Sequence, residues 1–411
     1  MLDLFKQNNM FRILLMYRFF SSIGGAMFSM FILFSVHLIY QNSMYTGIAA
    51  FLMAAPRIFS FAVGPIVDRS NKVTIMRLTT LLEFFVLTLL AFSPLQEVLG
   101  VLFMFSIIFA YNIAALFEMP ASRALLPQIV AEDKIMEANS LINIAAMIGG
   151  VAIGAALFLT VGEDVDFRFL YGISAVFLAL TFVFSLFLSN ISVVHNEEEL
   201  PKTNYLSDLK EGAKFIKDSI LLYTILAGVV MSLAMEVAHV NRPMFLEYHI
   251  GAQGYVVFSL VSLIGGIGAS YFVGKVGSSI KIGKLIFMLF ACACAMRIAF
   301  ALLVPVHYFG GIVTTVAYSA LSIAIMLVFS TLNQKIPPND MVGRVDTISL
   351  TFRAIFTTLG ALAGGFLGSI IADTGHIFIY QGLSYLAIGV LIILVPSIRT
   401  LPTINDVKKS N

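Results

Sequence analysis

An all-α integral membrane fold of twelve spans is predicted by three observations on this 411-residue sequence. Hydrophobic residues make up 59% and charged residues only 12%, where an average globular domain carries about 25% charged. The mean hydropathy of +0.95 is too apolar for a chain that must cover its own surface in water. Apolar runs of about 20 residues, long enough to cross the hydrocarbon core, recur along the chain. A soluble enzyme, a nucleic-acid-binding module and a disordered chain are thereby excluded. The formal net charge of +2 names no partner, so placement of the charges has to do so.

The runs are 12–39, 46–66, 74–93, 98–119, 138–160, 168–190, 220–246, 254–274, 284–304, 310–333, 346–371 and 377–398. Short loops between them carry helix breakers, among them Pro94, Gly162, Gly251, Pro305, Pro337-Pro338 and Gly375. The first run lacks the short core and small-residue cleavage site of a signal peptide, so it is read as a retained span. One connection, 191–219, is long and polar. After Glu197-Glu198-Glu199 it places Leu206, Leu209, Ala213 and Ile216 at helical spacing among Asp208, Lys210, Glu211, Lys214 and Lys217. That pattern predicts an amphipathic helix on the membrane surface. The expected organisation is a six-helix bundle over 1–191, a cytoplasmic linker over 192–219 and a second six-helix bundle over 220–411.

Orientation follows from the basic residues. With the amino terminus inside, nineteen of the 25 Lys and Arg fall in cytoplasmic segments. Only Arg168 lies in an outer loop, with Arg242 near an outer helix end, and both termini are expected in the cytoplasm. A weak repeat supports two halves: Gln128-Ile129, Asp133 and Leu141 align with Lys335-Ile336, Asp340 and Ile348. Parallel repeats of this kind suit a transporter with its site where the halves meet. Cys292 and Cys294 sit in an apolar run and read as small buried thiols, neither a disulfide framework nor a zinc site.

Between the second and third runs stands Gly64-Pro-Ile-Val-Asp68-Arg69-Ser-Asn71-Lys72. A glycine there lets two helices approach, Asp68 can pair with a neighbouring helix amino terminus, and the basic residues anchor the loop at the headgroups. This segment resembles the signature G-x-x-x-D-R-x-G-[RK]-[RK] of the major facilitator superfamily, with Asn71 at the second glycine and Val73 at the last basic position. Gly274-Lys275-Val-Gly277 resembles its degenerate second copy. Further local features are Ala55-Pro56-Arg57, Phe117-Glu118-Met119-Pro120 running to Pro127, Glu137-Ala138-Asn139-Ser140-Leu141, Asp208 to Ile216, and Val342-Gly343-Arg344-Val345. Together they are similar to the macrolide-efflux and siderophore-exporter branch of that superfamily. The exporters' fifth-helix motif G-x-x-x-G-P-x-x-G-G is partly met by Ile148-Gly149-Gly150 to Gly154, with Gly150 in place of the proline. Val273-Gly274-Lys275-Val276 is no phosphate loop. It lacks the earlier glycine and the Ser or Thr that ligates Mg²⁺, so an ion gradient is the expected driving force.

Charges within the spans carry the functional signal, because each costs about 2.5–3.5 kcal/mol at mid-helix on insertion scales. The deep cations are Arg18, Arg57, Arg297 and Arg353, and the deep anions are Glu83 and Glu236. Glu118 is placed at the cytoplasmic end of the fourth span, within reach of the interface. Arginine cannot discharge by losing a proton, so an unmatched set suits a carboxylate or phosphate held bidentately. The alternative role for Glu83 is to pair with Arg18 or Arg57 as packing glue. By the resemblance, Arg18, Arg57, Glu236 and Arg353 can face a central cavity, and Arg297 lies on a more peripheral span. Glu236 and His239, three apart, share a helix face and can exchange a proton near neutral pH. Their alternative is a hydrogen bond that pins the seventh span. His37, His249, His307 and His376 lie at outer ends or loops without ligand spacing for a metal. Met27, Phe31 and Tyr111 can supply an adaptable apolar wall.

The expected protein works by alternating access, with two bundles rocking about a mid-membrane site. It is a proton-coupled efflux transporter, not an enzyme, of a bacterial cytoplasmic membrane. The substrate set is Arg18, Arg57, Arg353, Glu236, His239 and Arg297. Glu236, His239 and Glu83 are the coupling candidates, and Gly64, Asp68, Arg69 and Lys72 the conformational motif. The expected substrate is a small anionic metabolite such as a carboxylate siderophore. Macrolide or multidrug efflux, lipid translocation and a polytopic membrane enzyme are the rivals; four deep arginines fit cationic drugs poorly, and no catalytic cluster stands at one membrane face. Small molecule, protons and the bilayer are the expected partners. No cofactor, metal or nucleic acid is expected, and the functional unit is a monomer.

Overall fold

The computed structural model describes residues 8–60, 63, 66–67, 70–92, 98–131, 134–153, 167–188, 205–276, 280–338, 341–371, 373–403 and 406. The chain divides into two compact units, Met1–Glu199 and Leu200–Asn411.

The first unit contains α1 (Asn9–Tyr40), α2 (Ser43–Ala54), a 3₁₀ turn (Ala55–Phe59), α3 (Lys72–Phe92), α4 (Val98–Ile129), α5 (Ile135–Met147) with a π turn (Ile148–Ile153), and α6 (Phe167–Leu186). Asn8 starts α1 by accepting the Phe11 N–H at 2.9 Å, and its own amide donates to the Ile129 carbonyl at 2.7 Å, tying α1 to the end of α4. Gln41 ends α1 in the left-handed region at φ 48°, and Asn42 then opens α2 by accepting the Met44 N–H at 2.8 Å. Asn71 caps α3, accepting the Thr74 N–H at 3.0 Å. A glycine offers no such acceptor, which is a local reason for Asn at the motif's second glycine position. Arg77 donates to the carbonyls of Ser185, Leu186 and Leu188 at 2.8–3.3 Å, covering orphan acceptors at the end of α6.

The second unit contains α7 (Tyr205–Asp218), α8 (Leu221–Val276), α9 (Ile282–Leu303), α10 (Tyr308–Lys335), α11 (Val342–Ile370), α12 (Gly375–Leu394) and the short α13 (Pro396–Arg399). Gly251, at φ 75° and ψ 172°, breaks α8 where the seventh and eighth apolar runs were separated. The amphipathic α7 forms as expected, and it packs against the start of α11: Ile216 is buried, and Glu211 pairs with Arg344 at 2.6 Å.

Among the described residues, nine helices are long and apolar enough to cross a membrane. The second, fifth and eighth runs give shorter pieces: α2, Leu141–Gly150 and Gln253–Gly266. Pro56 turns the end of α2 into a 3₁₀ turn, and Gly149-Gly150 sit in the π turn. Large apolar side chains such as Phe85, Phe92, Leu102, Val176 and Leu391 point outward, as lipid contact requires. Each unit has its own core, around Phe11, Tyr17, Met76 and Leu125 in the first and Phe290, Val328, Val345 and Tyr385 in the second.

Candidate functional site

The first unit buries a charged cluster where α1, α3 and α4 meet. Arg18 of α1 donates to both carboxylate oxygens of Glu118 on α4, each at 3.1 Å, with side-chain exposures of 14% and 8%. Glu118 therefore does not reach the interface as expected. It lies on the inward face of α4, next to buried Ala121 and Ser122, and its carboxylate is spent on Arg18. Glu83 of α3 is buried beside the pair, within electrostatic reach of both partners. Among the described residues it makes no direct ion pair with Arg18 or Arg57, and Arg18 attracts it over a longer distance than it does Glu118. Tyr17, one residue before Arg18, shares a hydrogen bond with Thr80 at 2.7 Å, fixing α1 on α3 three residues from Glu83. Arg57 is exposed on the 3₁₀ turn. Met27, Phe31 and Tyr111 are all buried, and the rings of Phe28 and Tyr111 lie 4.0 Å apart with a tilt of 36°.

The glycines of the fifth-run motif press on α1. A Cβ at Gly149 would stand 3.0 Å from the Phe19 carbonyl oxygen, and one at Gly150 would stand 3.0 Å from that of Ser22. The π turn supplies irregularity where the exporters' motif has proline. Of the conformational motif, Gly64, Asp68 and Arg69 lie outside the described residues, as do Gly154, Gly277 and the repeat positions Asp133 and Asp340. Lys72 is described and is buried on the face of α3 that also buries Val73 and Met76, so it does not anchor the loop at the headgroups.

In the second unit, Glu236 and His239 stand on α8 with Oε1 and Nδ1 3.3 Å apart. The carboxylate is 19% exposed and the imidazole 48%, so the pair is open on its imidazole side. What holds Glu236 in place went unread in the sequence. Gly360 and Gly364 of α11, four apart, bring the α11 backbone onto α8. A Cβ at Gly360 would stand 2.7 Å from the Leu233 carbonyl oxygen and 3.1 Å from Glu236 Cβ. One turn on, the Asn241 amide donates to the Gly364 carbonyl at 2.8 Å. The small-xxx-small spacing of these glycines was the available signal.

Arg353 lies two turns before Gly360 on α11, half-buried, with Gly228 of α8 alongside and Asp346 in electrostatic reach. Its Nε donates to the Ser349 carbonyl at a long 3.4 Å. Arg353 and Glu236 are therefore on the same pair of helices, separated by about 11 Å of helix rise. Arg297 is elsewhere. Its guanidinium lies 3.8 Å from the ring centre of Tyr318, with Phe300 and Phe378 at 5.3 and 5.2 Å. It is enclosed among α9, α10 and α12 and does not join Arg353. Among the described residues no cluster of His, Cys, Asp or Glu is arranged to hold a metal. Cys294 is buried as expected, whereas Cys292 is exposed.

The sequence profile of the Major Facilitator Superfamily matches residues 14–355. The enterobactin exporter EntS of Escherichia coli O1:K1 is 24% identical over 403 residues, covering 96% of this chain and 93% of its own. Among solved structures, a variant of the nucleoside transporter NupG superposes with a TM-score of 0.79 at 13% identity, covering 94% of this chain and 99% of that one. A D-xylose-proton symporter gives a TM-score of 0.70, also at 13% identity, over 97% and 99%. At such identities the superpositions speak for the fold, and the profile for the lineage. With its long apolar helices, lipid-facing surface and this match, the chain is an integral membrane transporter that belongs to the major facilitator superfamily.

Proposed function

We propose that this chain is a proton-coupled exporter working by alternating access, with a small anionic metabolite such as a carboxylate siderophore as its substrate. The observation that carries the reading is the likeness to an enterobactin exporter along nearly the whole chain. The charges support it. In the first unit Arg18 is matched by Glu118 with Glu83 beside the pair, while Arg57 is exposed. In the second unit half-buried Arg353 has Asp346 in electrostatic reach but makes no ion pair among the described residues, which favours an anion. Arg353 and the exposed Arg57 are the substrate anchors in this reading, since Arg18 is already committed to Glu118. Glu236 and His239 carry the proton, with the buried Glu83 as a second protonatable carboxylate. The loop bearing Gly64, Asp68 and Arg69 governs the conformational step. Both termini face the cytoplasm of a bacterial cell, and the monomer is the working unit.

The test is transport by the purified chain in proteoliposomes under an imposed pH gradient. Gradient-driven movement of a tricarboxylate siderophore, exceeding that of a neutral macrolide, is expected. Macrolide transport without siderophore transport would return the function to drug efflux.

A further inference from the structure

A groove of about 570 Å³ lies between α3 and α6 on the surface of the first unit, and none of the substrate or coupling residues lines it. It is open to the surroundings: Phe92, Phe169, Val176 and Val183 on its walls are 45–82% exposed. The hollow comes from small side chains. Gly172, Ala175 and Ala179 follow one another at spacings of three and four along α6, and a Cβ added at Gly172 would meet nothing within 4 Å.

The lining is apolar with one charged exception. Thr88 spends its hydroxyl on the Phe84 carbonyl at 2.8 Å, an internal bond of α3. Arg168 is the charged side chain among the described lining residues, and it is exposed at the amino-terminal end of α6. From Arg168 to Val183, which also lines the groove, α6 rises about 22 Å. That exceeds the ~15 Å hydrocarbon depth of one bilayer leaflet. The groove therefore presents a cation at one end of a span and a hollow apolar track running away from it into the membrane.

This shape discriminates between occupants. A second copy of the chain, related by a twofold axis along the membrane normal, would present the same groove and the same arginine. Two hollows would then face each other unfilled, and two like charges would meet at one depth. A thin flexible chain with an anion at its end matches both the track and the charge. An arginine fork suits a phosphate in particular, because its donors meet two oxygens at once.

We propose that the α3–α6 groove binds one glycerophospholipid, with an acyl chain lying along Gly172, Ala175 and Ala179 and the phosphate held by Arg168. The lipid fills the hollow and fastens α6 to α3 at the membrane face. The site is separate from Glu236 and Arg353 and does not depend on which substrate is exported.

The chain contains no Trp, so one introduced indole reports on one place. Phe169→Trp puts it in the groove beside Arg168, and Leu391→Trp puts it on an exposed face of the second unit. Each purified full-length variant is reconstituted in mixtures of brominated-chain phosphatidylglycerol and an unbrominated, phosphate-free galactosyl diacylglycerol. Quenching at Phe169→Trp should show a preference of about fivefold for the phospholipid, and Leu391→Trp should show none. Adding Arg168→Gln to Phe169→Trp should abolish the preference. Native mass spectrometry of the wild type after detergent exchange, a readout that needs no variant, should find one phospholipid retained per chain. Gly172→Leu, whose side chain enters open space and so leaves the fold intact, should lose that lipid. Equal lipid preference at the two Trp positions overturns the proposal, as does retention unchanged in Gly172→Leu. Dimers of the wild type without retained lipid, lost in Gly172→Leu, would assign the groove to a second copy and overturn it too.

Discussion

Arg18 on α1 and Glu118 on α4 are joined by two contacts of 3.1 Å, and this pair decides how the charges of the first unit are read. An arginine facing a transport path with its fork free would attract a substrate carboxylate. Here the fork is occupied by a carboxylate of the same unit, and Glu83 is left beside the pair as the buried acid without a counter-ion of its own.

The pair should be structural. Removing one partner leaves a buried charge uncompensated, which costs about 3–5 kcal/mol. Arg18→Gln and Glu118→Gln are each expected to lower Tm and membrane yield strongly. The double variant should lose clearly less than the sum of the two. A double-mutant cycle on Tm of the purified chain checks this, and additive losses would show that the pair is not coupled.

Coupling should depend on Glu236. In Glu236→Gln the amide cannot carry a proton, so substrate addition should no longer move protons across proteoliposomes, while substrate binding persists. His239→Ala is expected to weaken proton movement without abolishing it, because the imidazole is the exposed partner of the pair. A pH-sensitive dye inside the vesicles reads both. Wild-type proton movement in Glu236→Gln with loss in Glu83→Gln would transfer the role to the first unit.

The contact of α11 with α8 should be intolerant of bulk. A leucine at Gly360 must displace the Leu233 backbone and press on Glu236, an overpacking that costs about 1–3 kcal/mol or more. Gly360→Leu and Gly364→Leu should therefore lower Tm by several degrees and disturb proton coupling together. Gly172→Ala, where a Cβ would meet nothing within 4 Å, is the control that should be silent.

What could be read in advance follows from which forces leave a linear trace. Burial in lipid makes spans apolar along their length, so the runs, the Gly251 break and the amphipathic α7 were legible from residue type alone. Pairing across helices leaves no such trace. Glu118 was read from its position near a helix end, but the inward turn of that face and the choice of Arg18 as partner depend on how α1 packs on α4. Arg297 and Arg353 look alike in sequence, each an arginine in an apolar run. One is enclosed by Tyr318, Phe300 and Phe378, while the other lies half-buried beside Gly228. Gly360 and Gly364 did leave a trace, in their four-residue spacing, and it marks the contact that positions Glu236.

Substrate charge gives the last prediction, and it turns on Arg353. Its guanidinium is half-buried and held to protein by one long contact to the Ser349 carbonyl, so most of its donors remain available to a ligand. Losing a charge-assisted hydrogen bond of this kind costs about 1.5–3 kcal/mol, roughly ten- to over a hundred-fold in affinity. Arg353→Gln should therefore weaken binding of a tricarboxylate siderophore by that factor, and Arg57→Gln should do so as well if the exposed 3₁₀ turn meets the same ligand. Lysine at position 353 should restore only part of the affinity, since a point charge lacks the bidentate geometry. A neutral macrolide has no carboxylate to lose, so its binding should change little in either variant. Binding of both ligands to wild type and variants, measured on purified protein, separates the cases. Equal losses for the two ligands would mean that Arg353 and Arg57 serve packing and not recognition.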